Sequence, residues 1–270
     1  MARIHPTAIV DPAAELGPGV TVGPYSIIAG QVTIGADTEI GPHVVIKEFT
    51  TIGARCRIFQ FASVGEIPQD LKFQGERTEL IIGDDNTIRE YATLHRGTGA
   101  GGGVTRVGHG NLFMAYTHVA HDCIIGNGVI MSNAATLAGH ILVEDRAIIS
   151  GLAAIHQFCR IGRHSFVGGA SAVARDVPPY SLVYGNRAKL MGLNLVGLKR
   201  AGFSDTTIQA LRQAFELLFL SPTGTLKEAV AKVREEWGHV PEVQHLLTFV
   251  ETSERGITPA NGRENRTHRG

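Results

Sequence analysis

The sequence predicts a parallel β-helix followed by a small α-helical domain. An aliphatic residue stands at every sixth position over long stretches, beginning with Ile4, Val10 and Leu16. A small residue follows four positions later, as at Ala8 and Ala14. A period of six fits neither an α-helix nor a two-faced strand. It is typical of hexapeptide repeats, in which three hexads close one triangular coil around an aliphatic axis.

The repeat also predicts where the prism is interrupted. The aliphatic series runs through residues 4–64, 82–94 and 107–173. Its two breaks predict loops at 65–80 and 95–106. Stacked coils at the spacing of parallel strands, about 4.8 Å, predict roughly nine coils and a prism about 40–45 Å long. We place the whole prism at residues 1–185.

Helical patterns replace the repeat after Pro178-Pro179. Ser204 is an N-cap before DTTIQALRQAFELLFL, whose apolar residues lie on one face. LKEAVAKVREEW is a second amphipathic helix, and Pro241 opens a third. We therefore predict an α-helical domain at 186–257. The polar segment 258–270 predicts a disordered tail.

Composition narrows the class of protein. Lys plus Arg and Asp plus Glu each number 25, so the formal net charge is zero and a general nucleic-acid binder is excluded. No apolar run is long enough for a transmembrane segment, and the N-terminus lacks the apolar run of a signal peptide, which predicts a cytoplasmic protein. Cys56, Cys123 and Cys159 form no CxxC pair and fall in the small-residue position of the repeat. We expect them to be packed as free cysteines.

One face of the predicted prism gathers polar side chains that a structural repeat does not need. Residues 18 apart occupy equivalent places on successive coils, so Gly139 should lie beside His121 and His140 beside Asp122. The same face carries His118, His156 and Gln157. One interpretation is general-base chemistry on a substrate hydroxyl or amine. The alternatives are a metal site, although no standard zinc spacing is present, and ordinary exposed polar turns.

An ordered set of motifs resembles a known enzyme family. QDLK, HRGT, HVAHDC, NAATLAGH, HQFC, DVPPY and NLVGLKRAGFS occur in that order between about residues 4 and 257. Together they resemble the UDP-N-acetylglucosamine acyltransferases of lipid A biosynthesis. The resemblance implies an all-β left-handed parallel β-helix with a helical C-terminal domain, although crossover chirality alone would favour a right-handed coil. It also implies a homotrimer with active sites between subunits.

The resemblance further implies a reaction and its residues. An (R)-3-hydroxyacyl group moves from acyl carrier protein to the 3-hydroxyl of UDP-N-acetylglucosamine, the first step of lipid A biosynthesis, without cofactor or metal. His121 is then the general base, Asp122 orients or supports it, and the backbone N–H of Gly139 stabilises the oxyanion. Substrate binding falls to Asp70, Lys72, His118, His140, His156, Gln157, Asn194 and Arg200. Gly169, in one column with Gly151 and Asn133, limits acyl length, and a glycine there predicts a long chain of the hydroxymyristoyl type.

Two further features concern the partners. The family often has a glutamate two residues after Asn194, where this chain has Val196, which puts one nucleoside contact in doubt. An acidic carrier protein needs a basic patch, the alternative being ordinary surface charge. Candidates for that patch are Arg160, Arg163, Arg175, Arg187, Lys189 and Lys199.

Four rival functions stay open on the sequence. Some relatives acylate a 3-amino UDP-sugar instead of the hydroxyl. A related N-acyltransferase carries an extra N-terminal uridine-binding domain, whereas here the repeat starts at Ile4. A metal-dependent, anhydrase-like hexapeptide protein would use His118, His121 and His140 as ligands. A non-catalytic scaffold would tolerate replacement of His121.

Overall fold

A computed structural model describes residues 1–220 and 224–260 and contains a triangular prism of short parallel strands. In chain order its first half has strands β1 (Arg3–Ile4), β2 (Ile9–Val10), β3 (Glu15–Leu16), β4 (Thr21–Val22), β5 (Ile27–Ile28), β6 (Thr33–Ile34), β7 (Glu39–Ile40), β8 (Val45–Ile46), β9 (Thr50–Ile52), β10 (Arg57–Ile58), β11 (Ser63–Glu66), β12 (Glu79–Ile82), β13 (Thr87–Ile88) and β14 (Thr93–His95). The second half has β15 (Val104–Val107), β16 (Leu112–Phe113), β17 (His118–Val119), β18 (Ile124–Ile125), β19 (Ile130–Met131), β20 (Thr136–Leu137), β21 (Leu142–Val143), β22 (Ile148–Ile149), β23 (Ala154–Ile155), β24 (Arg160–Ile161), β25 (Phe166–Val167), β26 (Ala172–Val173), β27 (Ser181–Tyr184) and β28 (Lys189–Leu193).

Every third strand belongs to the same face of the prism. Sheet 1 contains β1, β4, β7, β10, β13, β16, β19, β22, β25, β27 and β28; sheet 2 contains β2, β5, β8, β11, β14, β17, β20, β23 and β26; sheet 3 contains β3, β6, β9, β12, β15, β18, β21 and β24. The nine strands of sheet 2 confirm the predicted number of coils. The fold is a left-handed parallel β-helix with a helical C-terminal part, as the resemblance implies.

The corners of the coil are held in an unusual backbone conformation. Non-glycine residues recur there with φ between 53° and 66°, among them Asp122 and His140. This left-handed region costs a non-glycine residue about 1–2 kcal/mol. Hydrogen bonds between coils offset that cost, for example from the N–H of His140 to the carbonyl of His121 at 3.0 Å. Because equivalent corners superpose, their side chains stack in columns along the prism.

The aliphatic repeat fills the axis as predicted. Ile46, Ile88 and Leu137 are fully buried there. The three cysteines occupy three of the small-residue positions of the repeat and are buried and free, so their predicted packing role is confirmed. On the outside of the prism, one column of corner residues between sheets 1 and 2 is mostly aromatic. It stacks Tyr25, His43, Phe61, Tyr91 and Tyr116 with ring centroids 4.9–5.2 Å apart.

Two loops leave the prism next to each other. They occupy residues 67–78 and 96–103, shorter than predicted because strands β11, β12, β14 and β15 continue into the predicted loop ranges. The second loop contains a 3-10 turn, Gly99–Gly101, capped by Thr98. The N–H of Gly99 donates to a carboxylate oxygen of Glu76 at 3.0 Å, which joins the two loops.

The C-terminal part begins later than residue 186. Strand β28 pairs antiparallel with β27, so the sheet extends to residue 193. Helices follow as α1 (Leu195–Arg200), α2 (Asp205–Phe215) with a π-helical turn (Glu216–Leu220), α3 (Leu226–Trp237) and α4 (Pro241–Glu251). Ser204 caps α2 as predicted, and Thr225 forms a capping box with Glu228 at α3. None of the described helices is long and apolar enough to cross a membrane.

The start of the predicted tail is ordered, which corrects the sequence prediction for residues 258–260. Thr258 is buried, and its hydroxyl donates to the carbonyl of Asp176 at 2.9 Å. Ala260 forms a β-bridge with Leu190. Free backbone groups at the upper end of the prism thus bind a segment that looks disordered by composition. The predicted disorder of 261–270 lies outside the described residues.

Candidate active site

A histidine and an aspartate form a buried pair on the corner between sheets 2 and 3. His121 and Asp122 follow strand β17 after one intervening residue, Ala120. Nδ1 of His121 lies 2.7 Å from Oδ2 of Asp122, and their side chains are 13% and 1% exposed. A carboxylate accepts hydrogen bonds, so this contact places the imidazole proton on Nδ1. Nε2 is left with a lone pair, which a general base requires.

The second loop fixes the carboxylate of Asp122. Oδ1 accepts from the N–H of Thr98 at 2.8 Å, and Oδ2 accepts from the Thr98 hydroxyl at 2.7 Å. The backbone N–H of Asp122 donates to Oγ1 of Thr105 at 2.8 Å. A side chain on Gly101 would collide with the carboxylate of Asp122, so only a glycine at this position lets the loop backbone come this close to Asp122. Sequence reasoning missed Thr98 and Thr105.

Gly139 lies directly against the imidazole of His121, as the 18-residue spacing predicts. A Cβ on Gly139 would stand 2.7 Å from Nε2 of His121, too close for any other residue without a shift of the ring. Within the described residues the N–H of Gly139 donates to no acceptor. A free donor therefore lies beside the basic nitrogen, where an oxyanion can accept it.

Other histidines surround the pair. His140 lies one coil above, with Nε2 3.6 Å from Oδ2 of Asp122 and its ring stacked on Phe158. His118 bonds Oγ1 of Thr93 through Nδ1 at 2.7 Å. Burial, together with the charge of His121, lowers the pKa of His118. His118 is thus neutral at pH 7 and offers Nε2 to a ligand.

His95 is a further site histidine that sequence reasoning missed. It ends strand β14, which pairs with β17, and its ring meets that of His118 edge to face at 4.9 Å. Burial lowers the pKa of His95 to about 4, and its Nδ1 has no hydrogen-bond partner among the described residues. The sequence offered one signal for this role: His95 begins the HRGT motif and lies one coil below His118.

The top of the histidine column has a different environment. His156 and Gln157 stand exposed one coil above His140. Nδ1 of His156 lies 2.9 Å from Nη2 of Arg255, whose Nε donates to the carbonyl of Ala174 at 3.2 Å. The prediction that His156 shares the face with His121 is confirmed. Its ring contacts both the carbonyl of Gln157, at 3.1 Å, and the C-terminal segment.

Asn194 and Arg200 line a separate cavity of about 730 Å³ on the outer face of sheet 1. Asn194 caps α1 by accepting from the N–H of Gly197 at 3.1 Å, and its amide donates to the carbonyl of His164 at 3.0 Å. Burial lowers the pKa of His164 to about 4. Val196 presents an exposed apolar side chain to the same cavity.

Three more predicted site residues, in addition to Asn194 and Arg200, lie apart from the pair within one chain. Asp70 is half-buried and Lys72 exposed in the first loop, where the Lys72 N–H donates to Oδ1 of Asp70 at 3.0 Å. Gly169 is exposed on the corner between sheets 1 and 2, one coil above the carbonyl of Gly151. That corner is a different edge of the prism from the one carrying His121.

Three side chains around the pair stand close enough together to bind a metal ion. One ligand atom each from His121, Asp122 and His140 lies within 4.8 Å of the others. This set replaces His118 of the sequence-based alternative by Asp122. However, both oxygens of Asp122 already accept hydrogen bonds from Thr98, and Oδ2 also contacts His121. A carboxylate so engaged suits an orienting partner of histidine better than a metal ligand.

Two family models match the chain. One, described as UDP-N-acetylglucosamine O-acyltransferase, domain 2, matches residues 176–258. The other, described as bacterial transferase hexapeptide with six repeats, matches residues 13–48. They cover the C-terminal part and a stretch of the prism respectively.

Relatives match almost the whole chain. The acyl-[acyl-carrier-protein]–UDP-N-acetylglucosamine O-acyltransferase of Myxococcus xanthus is 57% identical over 258 residues, which is 96% of this chain and 100% of that protein. The solved structure of LpxA from Acinetobacter baumannii has a TM-score of 0.92 at 48% identity, covering 94% of this chain and 99% of that one. The UDP-N-acetylglucosamine O-acyltransferase structure from Moraxella catarrhalis has a TM-score of 0.92 at 44% identity, with coverage of 94% and 99%. The chain therefore belongs to the family of UDP-N-acetylglucosamine O-acyltransferases.

Proposed function

We propose that this protein transfers an (R)-3-hydroxyacyl group from acyl carrier protein to the 3-hydroxyl of UDP-N-acetylglucosamine, the first step of lipid A biosynthesis. The observation that carries the proposal is the buried contact between His121 and Asp122, with the free N–H of Gly139 beside the ring. The names of the relatives point to the same two substrates.

The reaction needs a base and an oxyanion donor. Nε2 of His121 takes the proton from the sugar hydroxyl as its oxygen attacks the thioester carbonyl. A C–O bond forms, and the carbonyl oxygen becomes an oxyanion that accepts from the N–H of Gly139. The C–S bond then breaks, and the imidazolium returns its proton to the leaving thiolate. Asp122 holds the tautomer and stabilises the imidazolium between these steps.

We propose that neighbouring subunits of a homotrimer complete the site. In one chain the cavity with Asn194 and Arg200 lies on sheet 1, whereas the pair lies at the far edge of sheet 2. If sheet 1 of one subunit faces sheet 2 of the next, the cavity stands opposite His121. The nucleotide is then held by Asn194 and Arg200, and Asp70 and Lys72 reach across from the first loop.

The remaining predicted contacts follow from the same arrangement. His118, His140, His156 and Gln157 form the wall along which sugar and acyl chain lie. Gly169, open on its own corner, leaves room for a long acyl chain. We also propose a cytoplasmic location, as the sequence predicts.

Mass spectrometry of the product tests the proposal. UDP-N-acetylglucosamine and a mixture of 3-hydroxyacyl carrier proteins are incubated with the protein and with His121→Ala. We expect a singly acylated UDP-sugar that disappears in the variant. Without acylation, the 3-amino UDP-sugar is the next acceptor to test. If neither is acylated, the metal-dependent or scaffold function becomes the better explanation, and bound zinc in the purified protein decides between them.

A further inference from the structure

A group of cations lies on the same corner of the prism as the catalytic pair. Arg175, Arg187 and Lys189 line a cleft of about 140 Å³ together with Thr258 and Pro259. That volume is several times the roughly 30 Å³ of one water molecule. Arg175 follows strand β26 of sheet 2, and the segment carrying Arg187 and Lys189 runs alongside that strand. We call these three residues the cation cleft.

The three cations of the cleft are not paired with carboxylates of the described residues. Within the described residues none of the three cations forms a salt bridge. Two of the other candidates for a basic patch are engaged by the protein, whereas Lys199 lies apart in α1. Arg160 donates to the carbonyl of Thr252 at 3.0 Å and lies over the ring of Phe249, and Arg163 pairs with Asp145. Cations gathered without acidic partners favour an anionic ligand.

The position of the cleft relates it to the chemistry. Residues 121, 139, 157 and 175 belong to one corner column, so Arg175 stands three coils above His121. Three coils at about 4.8 Å each span about 14 Å. Arg255 and His156 fill the interval with hydrogen-bonding groups that lie 2.9 Å apart. One corner column therefore carries the base at its lower end and the cation cleft three coils above it.

That distance fits the arm of the acyl donor. An acyl carrier protein presents its thioester on a phosphopantetheine arm, in which thirteen bonds separate sulfur from phosphorus. Three backbone bonds span about 3.3–3.6 Å, so thirteen similar bonds reach about 15 Å. With the thioester at His121, the phosphodiester of an extended arm reaches the cation cleft.

We propose that Arg175, Arg187 and Lys189 bind the phosphodiester of the donor's phosphopantetheine arm and so set the position of the thioester. This rests on the function proposed above. Arginine and lysine are the residues that bind phosphate oxygens through charged hydrogen bonds. The pyrophosphate of the nucleotide sugar has the same chemistry, so the experiment must separate the two sources.

The experiment compares three donors that carry the same 3-hydroxyacyl group: acyl carrier protein, acyl-phosphopantetheine and acyl-pantetheine, which lacks the phosphate. The variant combines Arg175→Gln, Arg187→Gln and Lys189→Gln. Its matched control combines Arg212→Gln, Lys227→Gln and Lys232→Gln, which remove the same charge from exposed helical positions. Thermal unfolding of both variants reports whether the fold is retained.

We expect the cleft variant to raise KM for acyl-phosphopantetheine and for the carrier protein about tenfold or more, as for loss of a hydrogen bond to a charged group. The rate with acyl-pantetheine and KM for UDP-N-acetylglucosamine should stay as in the wild type. Three results would each overturn the proposal. The first is an equal loss of activity with acyl-phosphopantetheine and acyl-pantetheine, and the second is an effect seen only with the intact carrier protein. The third is a rise in KM for the sugar alone. A wild type that acylates from no donor refutes the proposed function instead, and the phosphate site with it.

Discussion

Replacing Asp122 by asparagine tests the role of the buried pair while preserving its shape. The carboxylate accepts from the N–H of Thr98 at 2.8 Å, so the amide oxygen of asparagine should take that side. The amide NH2 then points at Nδ1 of His121, which must accept instead of donate. The proton moves to Nε2, and the nitrogen facing the substrate can no longer act as a base.

The size of the effect follows from these contacts. A positioned general base contributes about 10²–10⁴-fold in rate, so we expect kcat to fall by that factor with KM for the sugar little changed. In Asp122→Asn the two hydrogen bonds from Thr98 go to a neutral acceptor instead of a charged one. A hydrogen bond to a charged group contributes about 1.5–3 kcal/mol to stability. The free energy of unfolding should therefore fall by about 2 kcal/mol, and the variant should still fold.

Initial rates of wild type, Asp122→Asn, His121→Ala and the double variant form the assay. If Asp122 acts through His121, the double variant is no slower than His121→Ala alone. Asp37→Asn is the control, because Asp37 occupies an equivalent left-handed corner with φ 57° away from the site. The reasoning would be refuted if Asp122→Asn kept a rate within about threefold of the wild type. It would also be refuted if the rate loss of the double variant equalled the product of the two single losses.

Further outcomes follow from the site. Gly139→Ala should lower kcat strongly in a folded protein, since the new Cβ displaces the His121 ring; unchanged kinetics would contradict that contact. His95 stays neutral in the folded protein down to about pH 4, whereas the unfolded chain takes up this proton near 6.5. The contribution of His95 to stability should therefore fall by about 3 kcal/mol as pH drops from 6.5 to 4, at about 1.4 kcal/mol per pH unit. His164 has a similarly lowered pKa, so His95→Gln should reduce the slope of a denaturation series in this range without abolishing it; an unchanged slope would contradict the burial of a neutral His95. Gly169→Phe should shorten the preferred acyl chain in a mixed-donor assay, and an unchanged product profile would remove Gly169 from the acyl site. Dialysis against a chelator should leave the transfer rate unchanged; a loss restored by zinc would favour the set of His121, Asp122 and His140.

Much of the fold was predictable because the repeat is strictly local. One aliphatic position per hexad fixes the strand, and the 18-residue coil fixes which residues stack. This arithmetic correctly placed Gly139 against His121 and His140 near Asp122. It worked because neighbouring coils superpose without insertions in this part of the chain.

The remainder depends on contacts that no period encodes. The loop carrying Thr98 folds back onto Asp122 through hydrogen bonds that sequence spacing does not reveal. Likewise, the hydroxyl of Thr258 can be buried because it donates to the carbonyl of Asp176, which lies 82 positions earlier in the sequence. Composition alone suggested a disordered tail there. The repeat pattern of one chain does not determine which sheets of two neighbouring subunits face each other, so that arrangement stays a prediction.

The aromatic column has an optical consequence. The chain has five tyrosines and a single tryptophan. Tyr25, Tyr91 and Tyr116 belong to the stacked rings of the prism, whereas Trp237 ends helix α3. Absorbance and fluorescence of the two chromophores therefore report on different parts of the same molecule. Coincident melting of both signals would mean that prism and helices unfold as one cooperative unit, and separated transitions would mean that the helices detach first or last.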